Sequence, residues 1–277
     1  MIFLNINSNT MTLHNVNDVH YLTYNRLSEI DFINHAFSTR LGGVSTGIFE
    51  SMNLSFEHDD FDTVTENYKR FCNAAGFEYE TLVASSQDHH TFVRVCTKDE
   101  CGIGIRKPKD IMSVDALVTN EKGVTIVTYY ADCTPLFFVD TKRKAIGLAH
   151  AGWRGTVAKI GEQVINTMRD NFGTDPADLV CAIGPAISKC CYEVDKACAD
   201  NFYALGLDDS KFVFPQENGK YMVDLLETNR QILVSCNVNP ENITLSDLCT
   251  RCNSELLWSH RATNGKRGTM AAFMTIK

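Results

Sequence analysis

The sequence predicts an α+β fold in a single domain spanning residues 1–277. Three observations carry that expectation. Strand-like and helix-like stretches are mixed without the regular rhythm of a parallel βαβ sheet. The stretch TPLFFVDTKRKAIGLAH (134–150) reads as a hairpin, with apolar runs Leu136–Val139 and Ala145–Leu148 around the polar turn DTKRK. No repeat, low-complexity segment or Pro/Ser-rich linker divides the 277 residues, which include only 6 prolines.

The elements follow in order. HAFSTRLGGVSTGIFESMNLSF (35–56) reads as a strand, a Gly-rich turn and a polar stretch entering a further strand. DTVTENYKRFCNAAG (62–76) spaces Val64, Tyr68, Phe71 and Cys72 as a helix does, with Gly76 at its C′ position. TLVASSQDHHTFVRVC (81–96) reads as two β segments around a polar pair of histidines, and SVDALVTN and GVTIVTYYADC as further short strands. After the hairpin and GWRG, Thr156–Phe172 sets Val157, Ile160, Val164 and Met168 on one helical stripe that Gly173 ends. MVDLLETNRQILVSC reads as a shorter helix and GTMAAFMTIK as a closing β segment.

Composition narrows the function. With 44% hydrophobic and 22% charged residues the chain can bury a sizeable core. A net charge of −8 gives no broad basic footprint, so no nucleic-acid partner is expected. No apolar run approaches the ~20 residues that cross a bilayer, so no membrane partner is expected either. The first twenty residues lack a basic n-region and a long apolar h-region, which predicts a cytoplasmic protein. Its 11 cysteines are then expected to be reduced and mostly small core residues. KCCYEV and CTRC contain close pairs. CTRC looks like half a zinc knuckle, but no second CxxC or HxxxH completes it, so it is expected to be structural or incidental.

The hairpin brings chemistry together. A turn centred near Lys142 puts Cys133 or Thr134 opposite His150 or Ala151, and directly opposed residues lie about 4.5–5.5 Å apart. A thiolate and an imidazole at that separation can share a metal or form a nucleophile–base pair. A zinc site needs a third ligand, and His89 and His90 are the other histidines set in a polar turn between β segments. Asp132, beside the cysteine, could orient a histidine. Against this stands the ordinary reading of a core cysteine and a satisfied histidine.

At these residues the chain resembles the YfiH family, whose members are called laccase-domain proteins, polyphenol oxidases, peptidoglycan editing factors or purine nucleoside phosphorylases. The resemblance rests on HAGWRGTVAKI, STRLGGVSTGIFESMNLSF, SSQDHHTFV, DALVT with ADCTPLFFVD, IGPAISKCCYEV, and DLCTRC with SHRATNGKRGTMAA. It implies a layered α/β/β/α sandwich, distantly related to toxin-type cysteine hydrolases. It implies one zinc on His89, Cys133 and His150, with His89 rather than His90 as the ligand of the Q-x-H turn. It implies phosphorolysis of adenosine, inosine, guanosine and S-methyl-5′-thioadenosine, and deamination of adenosine. Two departures stand out. The turn, usually Q-V-H-G, reads Gln87-Asp88-His89-His90. The usual double arginine near the C-terminus is Arg261-Ala262, with Lys266 or Arg267 as a replacement.

The partners implied are a purine nucleoside and phosphate, for a monomer or small homo-oligomer. Arg40 and Arg154, each close to a glycine, are the expected phosphate contacts, Arg154 opening the helix that begins near Thr156. Trp153 is expected to pack. Cys133 and His150 are the expected catalytic pair, with Asp115, Asp132 or Glu193 as proton shuttle; the deaminase pattern H-x-E…P-C-x-x-C is absent. Three other readings compete. A copper polyphenol oxidase needs about ten histidine ligands, and the chain has 8 histidines in all. A Cys133–His150 hydrolase could edit the peptidoglycan precursor UDP-MurNAc-L-Ser. A binding protein with a structural zinc would need a closed, four-ligand site.

Overall fold

The hairpin strands Thr134–Asp140 and Ala145–Ala151 are buried at every position. A strand with no solvent-facing side must be covered on both faces, so these two dictate a layered molecule. The computed structural model, which describes residues 6–277, provides those layers. Two six-stranded sheets lie face to face. The first runs, in spatial order, Met11–Val16, Val19–Tyr24, Ile33–Ser38, Met270–Ile276, Thr125–Tyr130 and Leu82–Ala84. The second runs Ile243–Leu245, Leu179–Ile183, Thr134–Asp140, Ala145–Ala151, Val114–Thr119 and Phe92–Val95.

The core between the sheets interleaves Leu22, Tyr24, Phe37, Ile126 and Met274 of the first with Leu117, Phe137, Val139, Ile146 and Leu148 of the second. On the outer face of the first sheet lies the helix Phe61–Ala75, burying Val64, Tyr68 and Phe71 against Phe273 and Val127. Asp60 caps its start by accepting from the Thr63 N–H, and Gly76 ends it at φ 73°. Helices Ile160–Phe172 and Leu225–Ser235 cover the outer face of the second sheet. The order is therefore α/β/β/α, as the resemblance implies. Fully burying each large apolar side chain contributes about 1.5–3 kcal/mol, so the three apolar seams dominate the stability.

A three-stranded sheet of Glu193–Val194, Tyr221–Val223 and Val213–Pro215, with the helix Lys196–Tyr203, forms an annex around Phe202, Phe212 and Val223. Trp153 packs against this annex, as expected. Among the described residues no helix is long and apolar enough to cross a membrane.

Two expected elements differ. Met52 and Leu54 are buried, but no strand forms there: Met52 N–H donates to the Arg40 carbonyl and Leu54 N–H to that of Thr269, without a continuous ladder. The helix expected over Thr156–Phe172 is two helices, Trp153–Val157 and Ile160–Phe172, broken at Lys159 with φ 57°. Ile160, Val164 and Met168 form the expected buried stripe, whereas Val157 packs against the annex. Arg154 thus lies inside a five-residue helical turn and does not open a long helix.

Candidate metal centre and cleft

Two chain crossings and one strand deliver the central side chains. The hairpin register pairs Thr134 with Ala151 and Pro135 with His150, one of the expected alignments. Cys133 sits one residue before its strand, where the chain passes from the first sheet to the second. His89 lies on the other crossing, between Leu82–Ala84 of the first sheet and Phe92–Val95 of the second.

Both crossings hold non-glycine residues in the left-handed region, His89 at φ 72° and Asp132 at φ 85°. Such backbone persists only where its surroundings over-determine it. Around His89 they do. The Asp115 carboxylate accepts the N–H groups of Asp88, His89 and His90 at 3.2, 3.0 and 2.9 Å. Gln87 bonds the Tyr129 backbone twice, accepting its N–H at 2.6 Å and donating to its carbonyl at 2.8 Å. The Gln of the Q-x-H turn is thereby a positioning residue.

His89, Cys133 and His150 each offer a donor atom within 4.8 Å of the others. Cys133 Sγ lies 4.0 Å from His89 Nε2. Asp115 Oδ1 holds His150 Nδ1 at 2.8 Å, which fixes the imidazole and leaves its Nε2 for the centre. Gly152 makes room: a Cβ there would stand 2.8 Å from His89 Cδ2 and 3.2 Å from Cys133 Sγ. Two imidazoles, one thiolate and a carboxylate behind one imidazole fit a bound metal ion.

The electrostatics agree with the geometry. Burial pushes the Cys133 thiol up, but the His150 and His89 rings outweigh it and bring it down to about 6. Burial disfavours the His150 cation, but Cys133 and Asp115 more than offset this and raise it to about 9. Without metal the pair is therefore a thiolate beside an imidazolium.

Two clefts meet at this centre, sharing His89, Ala131, Cys133 and Arg267. One, of about 240 Å³, is walled by Phe56, Tyr129 and Tyr130 and carries Glu57 and Lys109. The other, of about 400 Å³, carries Arg154, Arg261 and His260 beside Trp153 and Tyr192.

The family model for multi-copper polyphenol oxidoreductase laccase matches residues 34–277. The chain belongs to this laccase-domain family. It is 35% identical over 243 residues to the purine nucleoside phosphorylase YlmD of Bacillus subtilis, covering 87% of each chain. It is 31% identical over 262 residues to a purine nucleoside phosphorylase of Bacteroides thetaiotaomicron, covering 94% of this chain and 97% of the relative. The crystal structure of the Bacillus licheniformis hypothetical protein YfiH superposes with a TM-score of 0.90 at 30% identity, over 97% of this chain and 100% of that one. That of YlmD from Geobacillus stearothermophilus gives 0.89 at 31% identity, over 97% and 99%.

Within this laccase-domain chain the expected residues divide. His89, Cys133, His150 and Asp115 come together. His90 turns away, exposed, with Nδ1 2.5 Å from Asp88 Oδ1. Asp115 is fully buried with its oxygens engaged, so it positions His150 and the turn and is badly placed to ferry protons. Asp132 orients no histidine: its carboxylate accepts from Thr250 Oγ1 at 2.6 Å and the Arg261 N–H at 2.7 Å. Glu193 lines a side groove against the annex.

Arg40 is the clear correction. Its guanidinium donates to the Ser254 and Glu50 carbonyls at 2.8 and 3.1 Å and stacks 3.9 Å from the Trp258 ring centroid, and it lines neither cleft. Arg154 does line the basic cleft, 4.5 Å over the Trp153 ring. Of the two replacements for the missing second arginine, Arg267 reaches both clefts and Lys266 neither. Among the described residues the buried Arg267 Nε has no hydrogen-bond partner. Nothing in the sequence around Glu57 marks it as a cleft residue, and Lys109 lies in the short charged stretch RKPKD, which reads as a solvated loop.

Proposed function

We propose that this chain is a zinc-dependent purine nucleoside phosphorylase. Its substrates are adenosine, inosine, guanosine and S-methyl-5′-thioadenosine, with adenosine deamination as a second activity in the same cleft. The observation that carries this reading is the division of the cleft at His89 and Cys133 into a basic lobe and an aromatic one. The names of the B. subtilis and B. thetaiotaomicron relatives support it.

Phosphate belongs in the basic lobe, where Arg154 and Arg267 offer planar forks. The purine belongs against Phe56 and Tyr129, its polar edge toward Glu57 and Lys109. A phosphate oxygen bonds to C1′ as the C1′–N9 bond breaks, and the base leaves with that electron pair. The Lys109 ammonium donates at N7, and the arginines keep phosphate aligned with C1′. His89, Cys133 and His150 would hold the zinc, which when bound supplies fixed positive charge where the lobes meet.

Inosine is expected to yield hypoxanthine and ribose-1-phosphate only when phosphate is supplied. Arg154→Lys keeps the charge and loses the fork, so the KM for phosphate should rise about tenfold, the equivalent of one charged hydrogen bond of about 1.5 kcal/mol. Zinc content should stay constant. Equal hypoxanthine release without phosphate would replace phosphorolysis by hydrolysis.

One observation favours a second reading. Cys133, His150 and Asp115 form a nucleophile–base–orienter series, as a hydrolase of UDP-MurNAc-L-Ser would need. In metal-stripped protein the depressed Cys133 pKa contributes stability above the ordinary thiol range that is lost as pH falls through about 6. The raised His150 pKa contributes below the ordinary histidine range and is lost as pH rises through about 9. The ion pair is thus intact between those values. Alkylation of Cys133, followed by peptide mass mapping, should have its midpoint near pH 6. A midpoint in the ordinary thiol range would remove the ion pair. Hydrolysis of UDP-MurNAc-L-Ser by stripped protein, lost on adding zinc, would favour the second reading.

A further inference from the structure

The expectation that nothing completes Cys249-Thr250-Arg251-Cys252 is overturned in space. Cys190 and Cys191, about sixty positions earlier in the chain, lie against it, and the four sulfurs are all within 4.8 Å of one another. Sγ separations are 3.7 Å for Cys190–Cys191, 3.7 Å for Cys190–Cys252 and 3.4 Å for Cys191–Cys252. A tetrahedron with zinc–sulfur bonds of about 2.3 Å has edges of about 3.8 Å. A disulfide would need about 2.05 Å, and all four cysteines are free.

The backbone prepares this arrangement. Ala186 and Cys249 form a parallel bridge, and the Thr250 N–H donates to the Ala186 carbonyl at 3.0 Å. The Ser188 N–H points at Cys249 Sγ at 3.4 Å. Cys249 is buried, while Cys190 and Cys252 reach the surface, which leaves an entry path for an ion.

We propose that Cys190, Cys191, Cys249 and Cys252 form a second metal site, a closed tetrahedral one for a thiophilic divalent ion such as zinc. With four protein ligands it leaves no position for substrate, so its role is structural. It clamps two loops that both touch Asp132, the residue before Cys133. Ile187 N–H donates to the Asp132 carbonyl at 2.9 Å, and Thr250 Oγ1 to its carboxylate at 2.6 Å. Tyr192, next to the clamp, has the Arg261 guanidinium 5.5 Å from its ring. The clamp therefore holds one wall of the basic lobe. None of this depends on the phosphorylase reading.

The test is metal stoichiometry of the whole chain purified without chelator under reducing conditions. Two zinc ions per chain are expected. Cys190→Ser/Cys252→Ser should lose one and keep the other, while His89→Ala should lose the other and keep this one. Wild-type protein refilled with cobalt should show the charge-transfer absorption of a four-thiolate tetrahedral site, which requires no variant to fold. Full metal content in the Cys190→Ser/Cys252→Ser variant, or cobalt-loaded wild type without that absorption, would overturn the proposal. So would a Cys191–Cys252 disulfide in reduced preparations.

Discussion

His89→Ala is expected to empty the His89–Cys133–His150 centre and to lower phosphorolysis at least about a hundredfold, whereas His90→Ala leaves metal content unchanged. The magnitude follows from the donor count. Losing one outer partner of a metal ligand already costs about 10–100-fold in affinity or activity, and losing a ligand from a set of three costs more. The contrast follows from the turn. His89, at φ 72°, sends its ring toward Cys133, while His90 faces solvent beside Asp88. Metal analysis and inosine turnover of the two variants check this together. Equal metal loss in both would sink the assignment.

Asp115→Ala is expected to be the most damaging single change outside the three ligands. It removes the acceptor of three backbone N–H groups and of His150 Nδ1 in one step. Burial opposes the Asp115 carboxylate charge, yet His150 and these N–H groups hold its pKa below the ordinary range. Removing one member of a buried charged network costs about 3–5 kcal/mol. Metal affinity should fall about 10–100-fold, because His150 loses its orientation. Equilibrium denaturation and a competitive chelator titration measure the two effects. Unchanged values in both would mean that the 87–90 turn is held from elsewhere.

Much of this was legible in the sequence because the hairpin register is a counting problem. A polar turn near Lys142 suffices to bring Cys133 and His150 to the same open end of the hairpin, two positions out of register, and burial on both faces follows from the unbroken apolar runs. The choice of His89 over His90 came from the Q-x-H resemblance. Side-chain alternation is no reason for it, since the residue occupies a bend and not a strand. The role of Arg40 was not legible, because the nearby Gly42 and Gly43 say how closely backbone can approach and nothing of where a guanidinium points; Trp258 and two carbonyls claim it. The break at Lys159 carries no glycine or proline to announce it. The four-cysteine cluster joins loops from distant parts of the chain, and no spacing rule sees across that gap.

The place of Met270–Ile276 has a consequence in time. This strand is inserted between Ile33–Ser38 and Thr125–Tyr130, so the middle of the first sheet stays open until residues 270–276 have been made. Cys133 and Gln87 both depend on Thr125–Tyr130, one through chain continuity and the other through the Tyr129 backbone. A ribosome making this chain has thus released residues 89, 133 and 150 long before their frame can close. Ordering of these three side chains is expected to wait until residues 270–276 have been made, and the nascent polypeptide carries them unassembled until then.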